Sequence, residues 1–133
     1  MSVSASIQNL IVQTLKGNAA VKALVGDRVY DHRPALSAFP AISIGPSDAV
    51  IEDADCVRMR TETVQVDCWT RNDGATRAAR ELADEAVAAL HLVSGELSDG
   101  QEVTMRVLTV RALRDPDGVT GHGVVTLEIE TEA

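Results

Sequence analysis

Three histidines, two cysteines and one tight group of carboxylates are the residues of this 133-residue chain that catalysis or metal binding would use first. His32, His91 and His122 fall in a loop, at a helix end and on a strand, with no H-x-x-x-H spacing between them. Cys56 and Cys68 stand twelve positions apart, without a CxxC pair or a neighbouring histidine at ligand spacing. That pattern argues against a disulfide framework and against a zinc site. A Cys–His nucleophile pair would need surroundings that stabilise a thiolate, and neither cysteine has them in sequence. Cys68 falls on the apolar side of an alternating stretch and reads as a buried inert thiol, whereas Cys56 lies among polar residues.

The acidic group Asp48, Glu52, Asp53 and Asp55 lacks the Asp-x-Asp-x-Asp-Gly…Glu spacing that wraps oxygens around calcium, so a solvated segment is the simpler reading. Neither a Gly-rich phosphate loop nor a G-x-S-x-G elbow is present. No catalytic residue, cofactor or metal is therefore expected. What remains is two groups of charged residues whose simplest reading is solvated charge and turn chemistry. Asp48, Glu52, Asp53, Asp55, Arg58 and Arg60 surround one long polar segment, and Arg114, Asp115 and Asp117 surround a turn. Trp69 reads as a plug at the edge of the core, with an interface anchor as the alternative.

The elements that must position these groups are modest in size. The length fits one domain, residues 1–133, large enough to bury roughly two-thirds of its unfolded surface. Tyr30, Phe39 and Trp69 are the three aromatic residues, so the core must be built from Val, Leu, Ile and Ala. No apolar run approaches the ~18 residues that span a bilayer, and Met1-Ser2-Val3-Ser4 lacks the basic and apolar stretches of a signal peptide. The cytoplasm of the producing cell is the expected site of synthesis, with no membrane partner. A net charge of −8, from 20 acidic and 12 basic residues, argues against gripping nucleic acid through its backbone. It suits solubility, or a surface that nucleic acid slides past.

Ser4 or Ser6 is expected to cap a first helix ending at Lys16, with Ile7, Leu10, Ile11, Thr14 and Leu15 on one side. Asn18 and Gly26 frame a second helix, Ala19 to Val25. Asp27 to Tyr30 reads as a short strand, and Ala41 to Ile44 as another, stopped by Gly45-Pro46. Ser47 to Arg58 reads as the longest irregular stretch. Met59 to Trp69 alternates, with Val64, Val66 and Cys68 on one side. Ala75 to Leu92 forms a helix with an alanine-rich stripe, capped from Asn72-Asp73-Gly74, and Gly95 to Gly100 is a loop. Glu102 to Leu113, the Asp115-Pro116-Asp117-Gly118 turn and Val119 to Glu130 make a long C-terminal β-hairpin. The order ααβββαββ predicts an α+β domain: a mainly antiparallel sheet with helices packed on one face.

In order and spacing, these elements resemble the tail-terminator (tail-completion) family of long-tailed phages and gene transfer agents. The residues that carry the resemblance are Leu24-Val25-Gly26, Arg28-Val29-Tyr30-Asp31 with Pro34, Phe39-Pro40-Ala41-Ile42-Ser43-Ile44-Gly45, Asp67-Cys68-Trp69, Ala89-Leu90 and Asp115-Pro116-Asp117-Gly118. The resemblance implies a structural virion protein that is not an enzyme. It would form a homo-hexameric ring on the head-proximal end of the tail tube, end tube polymerisation and offer a docking face to the head. Its implied partners are itself, the tail tube protein and a head-completion or connector protein, with DNA passing through the lumen without specific binding. The charged residues of the Ser47–Arg60 segment and of the C-terminal hairpin turn would then be the candidate contacts with neighbouring copies and with the tube. It would be assembled in the host cytoplasm and reside in the virion. A head–tail connector or stopper, and a cytosolic binding module, are the competing readings.

Overall fold

Val64, Val66 and Cys68 on one strand and Val125, Leu127 and Ile129 on its neighbour give each strand one apolar face, and the helices cover both faces together. The computed structural model describes residues 2–35 and 37–132. Its elements are α1 (Val3–Lys16), α2 (Ala19–Val25), β1 (Val29–Tyr30), β2 (Ala41–Ala54), β3 (Val57–Arg71), α3 (Arg77–Leu90), β4 (Ser94–Glu96), β5 (Glu102–Thr104), β6 (Arg106–Arg114) and β7 (Thr120–Glu132). Five strands form one sheet in the order β1-β2-β3-β7-β6, antiparallel except where β1 runs parallel to β2. β4 and β5 form a separate antiparallel ribbon. The α+β class and the C-terminal hairpin match the sequence expectation.

Ile7, Ile11 and Leu15 of α1, Val21 and Val25 of α2, and Leu82, Ala86 and Leu90 of α3 meet the apolar faces of β3 and β7 in one core. α3 lies close to the sheet because both surfaces are made of small residues. A Cβ added at Gly123 would sit 3.0 Å from the Ala83 Cβ, and one at Gly121 would sit 3.3 Å from the Ala79 Cβ. Alanines on the helix and glycines on β7 thus replace the large aromatic residues that this chain lacks.

Two boundaries shift for local reasons. α1 begins at Val3, two to four residues earlier than read, because Ser2 rather than Ser4 or Ser6 is the cap and its hydroxyl accepts from the Ala5 amide. α3 spans Arg77 to Leu90, with Thr76 rather than the Asn72-Asp73-Gly74 turn at its N-cap, and Leu92 already has a positive φ of 60°. The single strand expected from Glu102 is divided at Met105. β5 turns to pair with β4, and β6 pairs with β7.

The larger correction concerns Ser47 to Arg58. This stretch is ordered β-structure: β2 runs through Gly45-Pro46 to Ala54 and pairs with β3 down to Ala54↔Val57. Gly45-Pro46 marks a register shift between Ile44 and Ser47 and does not stop the strand. A Cβ at position 45 would lie 2.6 Å from Asp67 Oδ2, so glycine is what lets the backbone pass, while Pro46 needs no ladder partner at such a shift. Residues 50–58 are exposed on both faces, so no apolar alternation marks them as a strand.

Candidate interaction surfaces

The two groups of charged residues singled out from the sequence lie at opposite ends of the sheet. Register pairs Met59 with Glu132 at one end and Arg71 with Thr120 at the other, about 40 Å apart along β3 at ~3.3 Å per residue. At the first end, β2 and β3 extend past Glu132 as a two-stranded arm tipped by Asp55 and the exposed Cys56. Asp53 pairs with Arg58 across this arm at 2.7 Å, whereas Asp48, Glu52 and Asp55 make no ion pair in the chain among the described residues. Arg60 turns to the helix side, where its Nη2 lies 2.7 Å from Glu62.

At the other end the tight turn is held from within. Asp117 Oδ1 accepts from the amides of Val119 and Thr120, and its Oδ2 accepts from the Thr120 hydroxyl. Those hydrogen bonds, the Thr120 hydroxyl first, hold its carboxyl below the usual range. Arg114 Nε donates to the Gly74 carbonyl at 2.6 Å, tying the turn to the loop before α3. Asp115 lies 3.9 Å from His122 Nδ1.

Between these ends, the helix-free face of the sheet carries residues that sequence reading did not bring together. Trp69 and His122 are register partners on β3 and β7 and stack, with centroids 3.9 Å apart and planes 12° apart. The indole N–H donates to Ser43 Oγ at 2.9 Å, and His122 Nε2 lies 2.7 Å from Asp67 Oδ1. Arg71 and Arg33 lie over the Phe39 ring, at 4.4 and 4.7 Å from its centroid. Trp69 is thus half-buried on the outer face rather than inside the core. The signal was phase: Cys68 faces the helices, so Trp69 must face away.

Glu62 is the second residue that sequence reading missed. It occupies an apolar phase of β3, is 2% exposed, accepts from Ser4 Oγ at 2.6 Å, and is gripped by Arg60 Nε and Nη2. A charge out of phase in an alternating strand is the signal that pointed to it.

Cys68 lacks the setting of a catalytic thiol. Burial, and then the neighbouring Asp67 charge, push Cys68 up to about 12, so it stays protonated. Among the described residues no group of three or more His, Cys, Asp or Glu is placed to hold a metal ion. No helix among them is long and apolar enough to cross a membrane. A concavity of about 410 Å³ is lined by Glu102, Arg106, Glu128 and Glu130 together with Leu92, Val103 and Thr104. That charged lining differs from the mostly apolar walls of small-molecule sites.

A chain in the solved virion of a native gene transfer agent (GTA) particle is similar to this one with a TM-score of 0.88. The two are 22% identical over 99% of this chain and 98% of the other, a likeness of fold. No curated protein matches the sequence. The family model described as tail completion protein gp17 matches residues 9–132, and the chain belongs to that family.

Proposed function

We propose that this virion tail protein forms a hexameric ring that caps the head-proximal end of the tail tube, ends tube polymerisation and presents a docking face to the head. Family membership supports the tail role. The observation that carries the finer reading is the charge of the helix-free face. By strand alternation this face presents Asp48 and Glu52 of β2 with Glu128, Glu130 and Glu132 of β7 over its arm-side half, and Arg106 is the basic residue beside them. A ring that turns this face inward has a lumen that repels phosphate, so DNA passes without sticking. The arm and the Asp115–Gly118 turn, at opposite ends of the sheet, are then placed to meet tube and head-completion proteins on opposite sides.

Cryo-electron microscopy of intact particles tests this placement. The reading expects a closed ring of this fold between the last tube ring and the head, with the helix-free face lining the channel. Density for the chain on the head side of a separate terminator ring would instead assign it as a connector. Absence from the particle would favour a cytosolic binding module.

A further inference from the structure

Both edges of the main sheet are open along much of their length. β1 covers β2 only at Ile42 and Ser43, which leaves the outer edge of β2 beyond them unpaired, and β6 has no strand on its outer side among the described residues. An open edge is a template for another strand, and monomeric proteins commonly block it with charge. Here the two edges carry opposite charge. Residues 47–55 hold four acids, Asp48, Glu52, Asp53 and Asp55, and no base, whereas residues 106–114 hold three arginines, Arg106, Arg111 and Arg114, and no acid. Among the described residues Asp48, Glu52, Arg106 and Arg111 make no ion pair, although Arg106 lies opposite Glu128 in register.

We propose that the β2 edge of one copy pairs with the β6 edge of the next, so that the sheet continues from subunit to subunit; this rests on the ring reading above. Strand direction supports it. β2 and β7 run one way and β3 and β6 the other, so copies related by rotation about one axis bring β2 and β6 together antiparallel. Like edges repel, acidic against acidic and basic against basic, which disfavours a two-fold dimer and leaves the head-to-tail contact that a ring requires.

The charges also select a register. With Asp48 opposite Arg111, Ala49 meets Val110 and Val50 meets Thr109. β6 then carries one extra residue, Leu108, at its register shift against β7. Past this bulge Ile51 meets Val107, and Glu52 falls opposite Arg106. By alternation, both charge pairs lie on the helix-free face, and Ile51 and Val107 share the helix side. Without the bulge the second pair would fall on opposite faces. The exposed Val50, Ile51, Leu108 and Val110 are covered by the same contact.

The test uses assembled particles that carry V50C and T109C in a C56S background. Directly opposed residues in an antiparallel pair lie within disulfide reach. Oxidation is expected to give a ladder of covalent multimers from the double variant and monomer from either single one. Monomer from the double variant in particles whose ring density is intact overturns the edge pairing and leaves the ring reading standing. Particles without ring density overturn both. In a second arm, D48R or R111D alone is expected to lower the yield of joined particles about tenfold, and the two together to recover most of it. A double variant no better than the worse single one overturns the assigned register.

Discussion

Trp69 and His122 stack face to face across β3 and β7, and the imidazole reaches Asp67 at 2.7 Å. This places a carboxylate with only 9% of its side chain exposed under an aromatic lid on the face without helices. Removing the imidazole breaks the stack and leaves Asp67 with Gln65 as its side-chain partner among the described residues. H122A is expected to lower unfolding free energy by about 2 kcal/mol, from a lost aromatic pair and an under-satisfied buried acceptor. H122F keeps the ring and loses the polar partner, so it should recover part of that loss. Urea unfolding of the three proteins measures this, and equal stability of H122A and the parent would contradict it.

Arg60 was singled out as a contact residue, yet its guanidinium grips the buried Glu62. R60A should therefore destabilise the isolated subunit by about 3 kcal/mol, because it strands a charge where water does not reach. Adding E62L removes that charge and should restore most of the stability. Thermal unfolding of R60A and of R60A with E62L distinguishes this from a purely intermolecular role, which would leave subunit stability unchanged.

Cys56 sits exposed at the arm tip and Cys68 is buried with its pKa pushed up to about 12 from 9.0. Iodoacetamide should label Cys56 alone in the folded protein and both thiols after unfolding, read by mass spectrometry. The folded state holds the Cys68 proton more tightly than the unfolded one. The stability linked to it is thus fully present below pH 9 and lost as pH rises toward 12. C68A should flatten that alkaline loss.

Asp117 has the opposite sign. Its folded pKa lies below the ordinary 3.8, so the turn is stabilised above that value and loses the contribution as pH falls through the folded pKa. Amide exchange at Val119 and Thr120, corrected for intrinsic rate, should speed up on acidification in the parent and show a weaker pH dependence in D117N.

Much of this fold was legible because local signals agreed. Asn18 and Gly26 frame α2 at its observed ends, and Pro116 with Gly118 marks the C-terminal turn. The arm was not legible, because pattern reading needs one buried face and residues 50–58 have none; their pairing comes from β3, not from burial. The family resemblance was carried by the order of the elements. The Trp69–His122 stack and the Glu62–Ser4 bond join residues 53 and 58 positions apart, and depend on a register that no local pattern encodes.

The central claim, that this protein ends tail growth and prepares the tube for the head, is tested most directly by electron microscopy of particles from the producing cell with this gene deleted. Free tails of uncontrolled length beside filled heads are the predicted result. Tails of normal length that fail to join heads, or intact transfer-competent particles, would contradict it.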